Sequence, residues 1–158
     1  MKKTMSKADQ DKWNKRYMDL AEFVGNWSTC IRDKRQVGAV IVKNNRLMTL
    51  GYNGAPANIQ NCKERGYCIR ERDNIESGTQ MEHCYSICAE QNAIIQAAKL
   101  GLSVEGAVMY STLNPCPNCA RAIITSGIEK VYYKQDYTNP FSLALFKEAG
   151  IELIHLKN

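Results

Sequence analysis

Three sulfurs and one carboxylate, drawn from Cys88-Ala89-Glu90 and Pro115-Cys116-Pro117-Asn118-Cys119, have the types and spacing for metal-assisted hydrolysis. A Cys-x-x-Cys places two thiolates on one side of a single helical turn, and the fold must bring Cys88 to them. Three thiolates fill three corners of a tetrahedral zinc site and leave the fourth for water. Glu90, two residues beyond Cys88, reaches that water and not the metal. Zinc lowers the pKa of the water, and the carboxylate carries its proton. Two other readings compete: a structural four-ligand zinc site and a dithiol redox pair. A lone Cys-x-x-Cys suits all three, but neither competitor has a use for Glu90.

Three thiolates around one Zn2+ carry a net charge of about −1, which weakens the metal as a Lewis acid. A helix N-terminus offsets the surplus, because its amides and dipole favour adjacent negative charge. Both stretches read as helix starts. Pro115 and Pro117 bracket Cys116 where missing backbone donors do no harm. Ala120, Ile123 and Ile124 then face inward, and Gly127 ends the helix. From Cys88 a second helix runs to Gly101, with Ala89, Ala93, Ile94, Ala97 and Ala98 as a small-residue face. Arg121 and Gln91 are side chains near in sequence that would donate to a sulfur.

The remaining elements must hold these two starts together. Trp13, Tyr17, Leu20, Val24 and Trp27 recur at the spacing of an amphipathic helix and are expected as core, not as a nucleotide platform. Val37 to Val42 and Leu47 to Tyr52 read as a hairpin around Lys43-Asn44-Asn45-Arg46, both strands buried on two faces. Strands follow at Val108–Thr112, Lys130–Tyr133 and Ile151–Leu156, with a last helix marked by Phe141, Leu145, Phe146 and Ala149. Strands alternating with helices late in the chain imply parallel pairing, so the sheet is mixed. The expected fold class is α/β, a three-layer α/β/α arrangement around a five-stranded mixed sheet. Residues 1–158 read as one domain, interrupted by a cysteine-rich insertion at about 57–87.

That insertion is polar and aperiodic, and a loop of such length needs an anchor. The chain has seven cysteines, an odd number that argues against a disulfide framework. Beyond the three already assigned, Cys62, Cys68, Cys84 and His83 fall in the insertion and Cys30 lies just before it. A second, structural zinc drawn from these five is expected, the competing reading being free thiols. The formal charge is +5 without a polybasic cluster, which weighs against nucleic acid as a partner. The polar segment Met1 to Lys12 and the lack of a long apolar run lead to an expectation of cytoplasmic location and no membrane partner. Gly51-Tyr52-Asn53-Gly54-Ala55-Pro56 is loop chemistry at a strand end, where the Asn53 amide is able to orient a hydroxyl or a base edge.

Val37 to Val42, Gly51 to Pro56, Cys88-Ala89-Glu90-Gln91-Asn92-Ala93-Ile94 and Pro115 to Ala120 together resemble the zinc-dependent cytidine and deoxycytidylate deaminase superfamily. Thr29-Cys30 and Glu105-Gly106-Ala107 add to the likeness, which covers roughly residues 13–156 and is nearest to the dCMP deaminases and their bacterial late-competence relatives. The resemblance implies a cytidine-deaminase-like fold and conversion of dCMP to dUMP and ammonia. It implies Cys88, Cys116 and Cys119 as ligands of a catalytic zinc and Glu90 as proton shuttle. Asn53 would meet the deoxyribose 3′-hydroxyl, the Ala89 amide the base carbonyl, and backbone oxygen at Leu113 to Asn114 the leaving amine. It further implies a second structural Zn2+, a homo-oligomer of hexameric form, activation by dCTP and inhibition by dTTP, with Mg2+ beside the effector. Arg32-Asp33-Lys34-Arg35, Lys134 and Tyr137 are candidates for the 5′-phosphate. The first ligand is usually histidine in this family and is Cys88 here. Cytidine or tRNA-adenosine deamination, and a non-catalytic zinc- or nucleotide-binding role, are the alternative readings.

Overall fold

The β-branched run that follows Val37 forms strand β1 (Gly38–Lys43), buried from Gly38 to Val42. Asn44 and Asn45 both adopt positive φ, the backbone of a tight hairpin turn, and return the chain as the antiparallel strand β2 (Arg46–Tyr52). Burial on both faces holds for β1 alone. β2 is a sheet edge, and Arg46 and Leu47 are exposed at its start. On the other side of β1 lie β3 (Val108–Leu113), antiparallel to it, then β4 (Lys130–Gln135) and β5 (Glu152–His155), each parallel to its predecessor. The sheet order is β2-β1-β3-β4-β5, and it is mixed, as the hairpin and the later crossovers require. The computed structural model describes residues 5–137 and 139–157, so Met1 to Thr4 of the polar start lie outside the described residues.

Helices cover both faces. Helix α1 (Lys7–Gly25) is capped by Ser6, whose hydroxyl accepts from the Asp9 amide at 3.1 Å. Its Tyr17, Met18 and Ala21 pack on Val40, Val42, Tyr110 and Tyr132. Trp27 continues the helical spacing but lies past the end of α1 and is 48% exposed, edge-on to Phe23 and Tyr52. The opposite face of the sheet carries α4 (Ala89–Lys99), α5 (Pro117–Thr125) and α6 (Pro140–Glu148). Ala93, Ala97, Ile123 and Phe146 from these helices meet Ile41, Met109 and Val131 in a second core. The result is the expected α/β/α sandwich. Between β2 and α4 the insertion forms two single-turn helices, α2 (Cys62–Arg65) and α3 (Ile69–Arg72), and a 3-10 turn at Met81–His83. Asn61 and Glu64 close a capping box around α2. Among the described residues no helix is long and apolar enough to cross a membrane.

The small face of α4 decides how close the site comes to the sheet. Gly51 in β2 lies directly beneath it, and a Cβ there would collide with the Ala89 carbonyl oxygen and the Ala93 amide nitrogen. Two hydrogen bonds fix the same contact: Thr49 Oγ1 donates to the Ala93 carbonyl at 3.0 Å, and Asn92 Nδ2 to the Tyr52 carbonyl at 3.0 Å. Backbone on both sides of the contact leaves nothing to rotate away. Gly51→Ala should therefore destabilise the protein by about 1–3 kcal/mol, read as a lowered midpoint in denaturant melts. An unchanged midpoint would show that α4 is free to shift outward.

Candidate active site

Cys88 is the N-cap of α4 and Cys116 the N-cap of α5, each with extended backbone. Pro117 occupies the first turn of α5, as its fixed φ and missing donor favour. The two helix starts converge at one end of the sheet. The sulfurs of Cys88, Cys116 and Cys119 all lie within 4.8 Å of one another. Among the described residues they are the one group of three or more histidine, cysteine or acidic side chains gathered so tightly. Ser142 of α6 anchors the loop before α5, its hydroxyl donating to the Pro115 carbonyl at 2.6 Å.

Glu90, in the first turn of α4, is only 4% exposed. Its Oε1 accepts from Ser111 Oγ at 2.8 Å, and its Oε2 from Cys119 Sγ at 3.3 Å. Burial raises the pKa of this carboxyl above its ordinary 4.5, despite the hydrogen bonds that favour the anion. The three thiols divide their charge unequally. Donation from Cys119 and Cys88, together with the amides of Cys119 and Asn118, pulls Cys116 far down into the thiolate form. Donating to Cys116 in turn pushes Cys88 and Cys119 up. Packed together, the thiols resist ionising all at once. A divalent cation removes that restriction and lets all three sulfurs ionise, so the donor set fits a three-cysteine metal site consistent with one zinc.

The cavity in front of this cluster is where the other expected residues meet. Asn53, Ala89, Leu113, Asn114 and Tyr137 all line it. The Asn53 amide is partly committed: Oδ1 accepts from the Val37 amide at 2.8 Å and Nδ2 donates to the Arg35 carbonyl at 2.7 Å. One N–H is left for a ligand. Asn114 is 3% exposed, and its Oδ1 has no hydrogen-bond partner among the described residues. Arg32 and Arg35 of the basic run also line the cavity, Arg32 paired with Glu71 at 2.9 Å and Arg35 donating to Ser77 at 3.1 Å. Lys134 does not reach the cavity. It pairs with Glu22 of α1 at 2.6 Å, on the far face of the sheet. Arg121 donates to Asn118 Oδ1 and not to a sulfur.

Arg70 carries no signal in the sequence, being one arginine in a charged segment. In the fold it is buried at 4% exposure and lines the cavity, its guanidinium donating to the carbonyls of Glu76, Thr79 and Gln80. It thereby ties the 76–80 loop to the cavity, which Ser77 and Gly78 also line. Cys30, Cys62, Cys68 and Cys84 line the same cavity. Burial pushes the thiols of Cys30 and Cys62 up, and the fields of the neighbouring cysteines add to both shifts. His83 stands apart, exposed at the surface with Nε2 3.3 Å from the Asp73 carboxylate.

Residues 11–135 match the family model for the cytidine and deoxycytidylate deaminase zinc-binding region. The chain is 39% identical over 141 residues to ComE operon protein 2 of Bacillus subtilis (strain 168), covering 88% of this chain and 68% of that protein. It is 35% identical over 170 residues to the deoxycytidylate deaminase of Enterobacteria phage T4, covering 88% and 87% of the two chains. Among solved structures, the dCMP deaminase of cyanophage S-TIM5 in complex with dCMP and dUMP superposes with a TM-score of 0.73 at 27% identity, over 96% of this chain and 99% of that one.

The buried carboxyl has a measurable consequence. Its folded pKa is raised, so the native state holds the proton more tightly than the unfolded chain does. Its contribution is intact below the ordinary carboxylate range and is lost as pH rises through the folded value. Melts of the metal-free protein across pH should therefore show Glu90→Gln gaining stability over the wild type at neutral pH, with the gap closing in acid. A variant less stable than wild type at neutral pH would contradict this.

Proposed function

The chain belongs to the cytidine and deoxycytidylate deaminase family, and from that premise we propose that it hydrolyses dCMP to dUMP and ammonia. Zinc-dependent hydrolytic deamination of a cytidine- or deoxycytidylate-type substrate is the chemistry its site is built for. Cys88, Cys116 and Cys119 would hold a zinc ion, which would supply the Lewis acid that makes water nucleophilic at neutral pH. Glu90 would take one proton from the attacking water and give it to N3 of the base. It would then take the second from the hydroxyl now on C4 and pass it to the amine, which leaves as ammonia while C4=O forms. Its burial raises the carboxyl's proton affinity, the direction that lets it hold as well as take a proton. The Ala89 amide, in the first turn of α4, meets the base carbonyl. Backbone oxygen at Leu113 to Asn114 accepts from the leaving amine. The free N–H of Asn53 meets the 3′-hydroxyl, and Tyr137, which lines the same cavity, is a candidate for the 5′-phosphate.

The observation that carries the nucleotide reading is the cationic rim: Arg32, Arg35 and Arg70 line the same cavity as Glu90. Arginine matches phosphate oxygens in charge and geometry. Arg70 is held by three carbonyls and has no carboxylate partner among the described residues, so its charge is not neutralised by a neighbour in the cavity wall. The solved relative that binds dCMP and dUMP supports the same choice over a free nucleoside.

Cys30, Cys62, Cys68 and Cys84 form a second, structural zinc site in this reading. The four cysteines line one cavity, and burial holds Cys30 and Cys62 in the neutral form, a restriction that a bound cation would lift. Cys84 is the fourth ligand in preference to His83, which faces Asp73. The proposal includes the homohexamer, the activation by Mg2+–dCTP and the inhibition by dTTP that the resemblance implies, with the cytoplasm as its compartment.

Release of dUMP by zinc-loaded protein from dCMP, with cytidine beside it and Mg2+–dCTP added or omitted, tests the substrate and the effector together. Turnover of dCMP well above that of cytidine is expected, faster with dCTP. Arg35→Ala should raise the KM for dCMP about tenfold or more while kcat changes little. Equal turnover of the two substrates would favour a nucleoside deaminase, and no turnover with zinc bound would favour a non-catalytic protein. Zinc analysis should find two equivalents per chain, falling to one in Cys62→Ser combined with Cys68→Ser.

A further inference from the structure

We propose that Ser111 is a positioning residue for Glu90, an inference that rests on the deaminase reading above. Along β3 the side chains of Met109, Ser111 and Leu113 point to the face covered by α4 and α5, since alternate residues share a face. Met109 belongs to the apolar core on that face. A serine in the middle of a central strand, at 0% exposure, is out of place in such a layer. Its hydroxyl has one assigned partner, Glu90 Oε1 at 2.8 Å. The pairing joins the sheet to the first turn of α4 and fixes the rotation of the carboxyl about its own stem.

Two side chains donate to Glu90 among the described residues, Ser111 and Cys119. A cysteine that binds a cation through its sulfur has no S–H left to give. Once the three-cysteine site is filled, Ser111 is the side-chain donor that remains, beside the backbone amide of Glu90 itself. It holds one carboxyl oxygen against the strand and leaves the other directed at the cavity, where the water and the base stand. A proton carrier that serves two positions in turn loses rate when its carboxyl rotates freely, because the reacting geometry is narrow. Ser111 touches neither substrate nor metal in this arrangement. It acts through Glu90.

The test is kinetic, with metal content and thermal melting measured on the same samples. Ser111→Ala is expected to lower kcat for dCMP about 10–100-fold, with KM nearly unchanged and one zinc retained at the catalytic site. Ser111→Thr, which keeps the hydroxyl, should recover most of that loss. In a Glu90→Gln background, adding Ser111→Ala should cost no further activity, because its route to the reaction is already cut. A purely structural serine predicts the opposite pattern: a lowered melting temperature or zinc content, and losses that add in the double variant. Wild-type kcat in Ser111→Ala, with the wild type active, would overturn this inference alone. An inactive zinc-loaded wild type would overturn the deaminase reading and this inference with it.

Discussion

Two helices that begin on cysteines aim their unpaired backbone N–H groups into the same small volume, and the charge collected there sets the terms for everything packed around it. Cys88 opens α4 and Cys116 opens α5, with Cys119 a turn further in. Convergence demands close approach, and close approach demands small residues. Ala89, Ala93 and Ala97 are fully or almost fully buried, and Gly51 is the only residue type that fits beneath them. The parallel half of the sheet supplies the direction. A strand that leads into a helix start places that start beyond its own carboxyl end, and β3 leads into α5 in this way.

The same volume is a source of instability. A buried carboxyl and three clustered thiols are poor company in a medium that solvates charge weakly. Without a cation only Cys116 is drawn into the thiolate form, at the cost of raising both neighbours. Binding a metal and folding are thus coupled here, as expected where ligands must lose protons. Glu90 sharpens the point. A glutamine or an apolar residue would suit that pocket better, and the carboxyl is kept where its proton affinity is raised and its orientation is held from β3. Function accounts for a group that stability alone would remove.

Much of this was legible in the sequence because it depends on local chemistry. Proline beside cysteine marks a helix start, alternating elements mark a mixed sheet, and an aligned Glu90 marks hydrolysis. The convergence of Cys88 with Cys116 and Cys119 followed from those starts. What escaped depends on partners distant along the chain. Lys134 looked like a phosphate ligand until the fold paired it with Glu22, 112 positions away. Arg70 has no mark in the sequence, and its role comes from three loop carbonyls that accept from it in the fold. Trp27 kept the helical spacing after its helix had ended. Ser111 sits in a run that reads as an ordinary strand, and only the register against α4 shows what its hydroxyl meets. The Asn53 amide, open by residue type, is partly spent on Val37 and Arg35.

The central claim is that a three-cysteine metal site and a separate buried carboxyl divide the labour of one hydrolysis. It is tested most directly by measuring zinc content and ammonia release from dCMP on wild type and Glu90→Gln prepared in parallel. The account predicts equal zinc in both and ammonia release about 100–10,000-fold slower from Glu90→Gln than from the wild type. Comparable ammonia release by Glu90→Gln, or loss of zinc along with activity, would contradict it.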